Sequence, residues 1–354
     1  MRVPVLDQNR TPLMPTTPAR ARRLLAQGKA KAYRNKLGLF CLLLKRTVEP
    51  NNQPIAVGID PGSKFEGFSV VGTKDTVLNG MSEAPTHVKK AVEQRRTMRR
   101  ARRHRKCRRR PVRFNNRLRN KETLPPSTFA RWNAKLRILK QLVKILPITD
   151  VVVEDVKAIT KKGQRRWNVN FSPLEQGKAW FYEQIRMLDL NLHTRAGFET
   201  KELRERFGVH KISEKGEKVF TAHAVDAWVL AADITGASHP TERGLFYWVP
   251  IRLHRRQLHR LQPSKGGVRK SYGSTRSWGF KRGTLVEHQH PKFNFTYIGG
   301  MQRTRERVSL HCIKSGTRLT QHAKRADLRT KTTIAWRPQF LPSLKGGGFL
   351  EVNL

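Results

Sequence analysis

Ile55-Ala56-Val57-Gly58-Ile59-Asp60-Pro61-Gly62 is a short apolar run that ends on a carboxylate and a Pro-Gly turn. An unbroken run of this length reads as a strand buried on both faces, with Asp60 as its last side chain. Residues 65–72 and 76–82 predict two more strands, forming an antiparallel meander with the first. Farther along, Ile148–Val153 is a second buried strand that delivers Glu154 and Asp155. Segment 219–234 is apolar and predicts a buried helix carrying His223 and Asp226. Three residues apart on one helix, these two side chains point to the same face.

The surrounding elements follow from local signals. Phe129, Trp132, Leu136, Leu139, Val143 and Leu146 recur at helical spacing, so 127–146 is an amphipathic helix. Basic residues fill a loop at 161–170; a helix over 179–188, a strand over 190–194 and a short helix over 200–207 follow. Near the N-terminus, Thr17 caps and Pro18 opens a helix that stops at Gly28. Two extended runs, 30–34 and 39–45, then pair through a turn at 35–38.

The chain has 354 residues, with 72 Lys and Arg against 26 Asp and Glu, a net charge of +46. Such a balance calls for a polyanionic partner. No run reaches the length of a membrane span, so no membrane partner is expected. Pro4, Asp7 and Pro12 break any signal-peptide pattern. Cys41, Cys107 and Cys312 are odd in number and scattered, which excludes a disulfide framework and a CxxC zinc site. A reduced, intracellular setting is expected. Between Arg95 and Arg110, 11 of 16 residues are Lys or Arg, with no Gly or Pro. Such a helix has no apolar stripe and needs phosphates around it. Residues 241–354 carry 23 basic and 5 acidic residues with interleaved aromatics, and read as a β-rich nucleic-acid-binding domain.

The charge suits passive RNA packing or an enzyme acting on nucleic acid. The scarce acids decide between them. Phosphodiester cleavage uses two divalent ions held by hard carboxylate oxygens. Asp60 and Glu154 end buried strands and Asp226 lies on a buried helix, while His223 can ligate metal or position the attacking water. Singly, each has a bland reading: a turn former, an ion-pair partner, a hydrogen-bonded helix pair. Together, the order Asp, Glu, His-x-x-Asp on strand, strand and helix is that of a ribonuclease H-like sheet of the RuvC type. The Asp–Asp–Glu order of transposases does not fit.

Pro12-Leu13-Met14-Pro15, Gly58-Ile59-Asp60-Pro61-Gly62-Ser63, the Arg95–Arg110 run, Val153-Glu154 and His223-Ala224-Val225-Asp226-Ala227 occur in that order. In this the chain resembles the transposon-encoded IscB/IsrB family, compact relatives of type II CRISPR effectors. The resemblance implies an α/β, RuvC-type fold split by an arginine-rich bridge helix, with a small N-terminal and a β-rich basic C-terminal domain. It divides the chain into an N-terminal domain (1–50), RuvC segment I (51–84), the bridge helix (85–120), RuvC segments II (121–198) and III (199–237), and a C-terminal domain (238–354). Asp60, Glu154, His223 and Asp226 match the catalytic, metal-binding positions, for two Mg²⁺ with Mn²⁺ as substitute. Arg95, Arg96, Arg99, Arg100, Arg102, Arg103, Arg105, Arg108 and Arg109 match the RNA-binding bridge helix. Arg252, His254, Arg269 and Tyr272 resemble the region that contacts RNA scaffold and target-adjacent duplex.

Only 68 residues separate Glu154 from His223, too few for the HNH nuclease domain of IscB. His193 and His210 are isolated and read as structural or surface residues. The resemblance is therefore to the IsrB branch, and it implies an RNA-guided nickase. The partners are then an omega RNA and double-stranded target DNA with an adjacent motif, bound by a monomer in a prokaryotic, cytoplasmic, nucleoid-associated ribonucleoprotein. A decayed RNA-binding protein and a RuvC-type junction resolvase are the alternatives.

Overall fold

The computed structural model describes residues 1–103, 124–158, 172–214, 216–251, 276–277, 279–293, 295–302 and 305–342. Met1–Asn51 and Gly244–Leu354 group into one compact unit, and Asn52–Arg243 form the other.

The first unit opens with β1 (Val3–Leu6), β2 (Pro12–Thr16), α1 (Pro18–Ala26), β3 (Ala30–Arg34) and β4 (Phe40–Leu44). Their sheet order is β2-β1-β4-β3. Pro12-Leu13-Met14-Pro15 forms the edge strand β2, where a missing backbone donor is tolerated. Helix α1 starts as its sequence predicts, with Thr17 Oγ1 accepting from the Arg20 amide at 3.3 Å and Pro18 in the first turn. The turn between β3 and β4 is held by Asn35, whose Oδ1 accepts from the amides of Leu37 and Leu39, both at 3.0 Å.

The second unit contains β5 (Ile55–Asp60), β6 (Phe65–Gly72), β7 (Thr76–Glu83), α2 (His87–Arg103), α3 (Pro126–Val143), β8 (Asp150–Glu154), α4 (Pro173–Arg186), β9 (Asn191–Arg195), α5 (Gly197–Arg206), α6 (Phe220–His223) and α7 (Val225–Thr235). Its five strands run in the order β7-β6-β5-β8-β9. The first three are antiparallel, and β8 and β9 run parallel to β5. Ile55, Ala56, Val57 and Ile59 of β5 are fully buried, as the unbroken apolar run requires of a central strand covered on both faces. Helix α7 packs on β5 and β6 with apolar residues all round, so Val225 and Ala227–Ala232 are buried. Its Trp228 indole donates to Thr76 Oγ1 at 2.9 Å, tying the helix to the start of β7.

Two of the predicted helices differ. The expected helix over 179–188 begins earlier, because Ser172 caps Pro173–Arg186 by accepting from the Glu175 amide at 3.2 Å. The continuous helix expected over 219–234 is two helices. It breaks at Ala224 (φ −123°, ψ −5°), where the His223 carbonyl comes so close to β6 that a Cβ on Gly67 would lie 2.0 Å from it. Helix α2 reaches the basic run, and every residue from Glu93 to Ala101 is exposed.

The chain returns to the first unit through β10 (Leu245–Pro250), the ribbon β11 (Arg276–Ser277) and β12 (Phe280–Lys281), then β13 (Thr284–His288), β14 (Thr296–Gln302), β15 (Arg307–Cys312), β16 (Arg318–Lys324), β17 (Leu328–Thr333) and β18 (Trp336–Leu341). Strands β10 and β18 pair antiparallel, and the other five long strands form a sheet in the order β16-β15-β14-β13-β17. Val286, Ile298, Val308 and Leu310 fill that sheet's core. Phe280 is buried in the same core and Tyr297 beside Leu285 and Ile334, so these two aromatics of the basic region serve packing. No helix among the described residues is long and apolar enough to cross a membrane.

Candidate metal centre

The strand register places two acids side by side. Ile59 pairs with Val153 across the parallel β5–β8 ladder, so Asp60 and Glu154, one residue on, end adjacent strands. Asp226 comes from the first turn of α7, where the helix N-terminus favours a carboxylate. Gly58 makes this approach possible: a Cβ there would lie 1.8 Å from the Ala227 carbonyl oxygen, so the α7 backbone rests directly on β5. Carboxylate oxygens of Asp60, Glu154 and Asp226 lie within 4.8 Å of one another. The side chain of Asp226 is 3% exposed and that of Asp60 18%.

Asp60 and Glu154, close together in a partly dry site, both resist ionisation. Burial pushes the Asp60 carboxyl above its usual range, with Asp226 adding to the effect and Lys211 opposing it. Burial and the neighbouring Asp60 charge push Glu154 up to about 8. The two carboxyls also act on each other directly, which raises Glu154 and lowers Asp60.

Two basic side chains that sequence reasoning missed complete the site. Lys211 Nζ lies 3.6 Å from Asp60 Oδ2 and also contacts Asp226 Oδ2. Arg204 reaches Asp226 Oδ1 at 2.6 Å from the last turn of α5. In a chain with 72 Lys and Arg, nothing local distinguishes these two from the rest.

Neighbouring networks hold the acids in place. Asp155, predicted beside Glu154, is bound by Lys178 at 2.7 Å and by the Tyr182 hydroxyl at 3.2 Å, which anchors the end of β8 to α4. Asp233 of α7 accepts from Arg195 at 2.8 Å and Arg206 at 2.6 Å, locking α7 to β9 and α5. His223 is buried on α6, its ring edge-on to Phe65 with centroids 4.9 Å apart. It is not one of the three residues whose oxygens converge. Because the helix breaks after it, the shared-face argument for His223 and Asp226 does not apply. His193 pairs with Asp150 at 2.9 Å, at the opposite end of β8 from Glu154, and His210 is exposed. Arg95, Arg96, Arg99 and Arg100 are exposed on α2, and Arg102 and Arg103 end that helix. Arg105, Arg108, Arg109, Arg252, His254, Arg269, Tyr272, Cys107 and the loop at 161–170 lie outside the described residues.

Five neighbouring strands in the order β7-β6-β5-β8-β9, the first three antiparallel and β8 and β9 parallel to β5, with acids at the ends of β5 and β8, have the ribonuclease H-like arrangement. Residues 3–170, just under half of the chain, match a family model described as RRXRR protein. Arg99-Arg100-Ala101-Arg102-Arg103 spells that pattern within α2. Among solved structures, Thermus thermophilus RuvC in complex with Holliday junction substrate is similar over 51% of this chain and 90% of its own, at 12% identity and TM-score 0.28. A second Thermus thermophilus RuvC structure covers 52% and 97%, at 13% identity and TM-score 0.25. The strand order itself carries the fold assignment. No curated protein matches the chain.

Proposed function

We propose that this chain is an RNA-guided DNA endonuclease that nicks the displaced non-target strand, with an omega RNA as guide and scaffold. The observation that carries the reading is the convergence of Asp60, Glu154 and Asp226 in a chain of net charge +46. The RRXRR match over 3–170 and the resemblance to IscB/IsrB support the guided form of the activity.

The donor set fits a hard divalent cation: three carboxylates whose oxygens lie within 4.8 Å and that draw in two side-chain cations. Bound there, two Mg²⁺, or Mn²⁺ in their place, would make a water nucleophilic and stabilise the leaving oxygen. Asp60, Glu154 and Asp226 are the residues that hold them. His223 is a further ligand or orients the attacking water. The exposed arginines of α2 neutralise RNA phosphates, and Arg252, His254, Arg269 and Tyr272 contact RNA scaffold and target-adjacent duplex. Base pairing with the guide reads the target sequence, so the protein needs only backbone contacts and a short adjacent motif. It works as a monomer within a ribonucleoprotein, in a prokaryotic cytoplasm at the nucleoid.

With its RNA and Mg²⁺, the protein is expected to convert supercoiled target plasmid to open circle. Asp60→Ala should lower that rate by roughly 10⁴-fold while RNA-dependent target binding persists. A variant that still nicks removes the catalytic assignment. Linear product from one site reveals a second nuclease centre, and junction cleavage without RNA replaces the guided reading with a resolvase.

A further inference from the structure

Lys211 bridges two of the three acids. Its ammonium lies against Asp60 Oδ2 at the end of β5 and against Asp226 Oδ2 at the start of α7, two of the carboxylates that would hold a cation. Arg204 differs: it binds the other oxygen of Asp226 from α5 and is paired with that one acid. The two cations also differ in chemistry. An arginine fork is pre-organised, whereas a lysine ammonium rides on a flexible four-carbon stem.

We infer that Lys211 is an exchangeable counter-ion, neutralising the Asp60–Asp226 pair until a divalent cation takes its place and its side chain swings out to solvent. The inference rests on the reading of the cluster as a metal site. Two observations and one chemical principle support it. The side chain of Lys211 is 34% exposed, so an outward path is open; the buried Lys135, paired with Glu66 in the same unit, is 4% exposed and has none. The backbone around Lys211 is pinned, by the Val209 amide to the Arg204 carbonyl at 3.0 Å and the Ile212 amide to the Thr221 carbonyl at 3.1 Å. Exchange therefore moves one side chain and leaves the loop in place. By elementary electrostatics, a divalent ion and an ammonium would compete for the same carboxylates, so each would lower the other's occupancy. Arg204 stays and continues to hold Asp226. Once released, the ammonium remains within reach of a phosphodiester entering the site, which gives it a new anionic partner.

The test is Mn²⁺ titration of the full chain, with free Mn²⁺ read by electron paramagnetic resonance and Asp60→Asn as the background lacking the site. Lys211→Met keeps most of the length and removes the charge. Lys211→Gln removes the charge but keeps a polar side chain, and serves if the methionine variant does not fold. Either variant should bind Mn²⁺ at least tenfold more tightly than wild type, about 1.4 kcal/mol. Lys211→Arg should not gain affinity. Without divalent ions the uncharged variants should melt below wild type, and Mn²⁺ should raise their melting temperature by more than it raises the wild-type value. Equal Mn²⁺ affinity in wild type and both uncharged variants overturns the exchange while leaving the metal site standing. Weaker binding by the variants overturns it too, because Lys211 then helps to hold the metal. No binding above the Asp60→Asn background in any of them removes the metal site itself.

Discussion

Replacing Gly58 by alanine adds one methyl group, and the structure gives it no room. Its Cβ would lie 1.8 Å from the Ala227 carbonyl oxygen, 2.7 Å from the carbonyl carbon and 3.2 Å from Cα. All three are backbone atoms of α7, so no side chain can rotate aside. Restoring ordinary contact requires the helix to move about 1.5 Å off β5. Overpacking of this kind costs about 1–3 kcal/mol, and here it acts on the most buried helix of the unit. Asp226 immediately precedes Ala227, so the same shift pulls its carboxylate away from Asp60. A misplacement of about 1 Å in a catalytic group lowers the rate by roughly 100-fold. Urea unfolding measures the first effect, and single-turnover nicking of a supercoiled target measures the second. Gly72→Ala is the control, because the nearest atom to its Cβ is 3.7 Å away, and it should change stability by less than about 0.5 kcal/mol. If Gly58→Ala matched this control in stability and nicked at the wild-type rate, α7 could not be seated on β5 as described.

Two further outcomes are expected. Charge-removing substitutions at Arg95, Arg96, Arg99 and Arg100, all exposed on α2, should weaken RNA binding and flatten its salt dependence. Each lost phosphate contact should lower the log–log slope by about 0.7–0.9, and an unchanged slope would place this helix away from the RNA. For Asp233, burial opposes ionisation, but the hydrogen bonds from Arg206 and Arg195 outweigh it and hold the carboxyl below its ordinary value of 3.8. Its stabilisation is therefore complete above that value and is lost as pH falls through the lower folded one. Asp233→Asn should cost about 1.5 kcal/mol at pH 7, at the low end for a charged hydrogen bond because Arg206 is largely solvated. The difference from wild type, followed by urea unfolding from pH 7 down to pH 3, should shrink at the acid end. A constant difference would rule out the ion pairs as its source.

The elements legible in advance are those whose cause is local. The apolar run before Asp60 identifies β5 because a strand covered on both faces has no polar side to show. Thr17-Pro18 marks the start of α1 because cap and fixed φ act within one turn. Ser172-Pro173 marks the start of α4 by the same chemistry, ahead of the helix expected from 179. The break at Ala224 has no such local mark. It coincides with the approach of the His223 carbonyl to Gly67, 156 positions earlier in the chain, and the contact exists only once sheet and helix have met. The burial of Phe280 and Tyr297 likewise depends on how the C-terminal sheet closes on its core.

The candidate site divides in the same way. By itself the sequence determined the strands that end in Asp60 and Glu154, the buried segment that carries Asp226, and the charge that calls for a polyanion, because periodicity, turn residues and composition act along the chain. The tertiary structure alone decided that the three carboxylates meet within 4.8 Å, that Lys211 and Arg204 reach them, and that His223 packs on Phe65. Those outcomes are set by strand register and by the seating of α7 on Gly58, and a distance between residues far apart in sequence has no value until both are fixed.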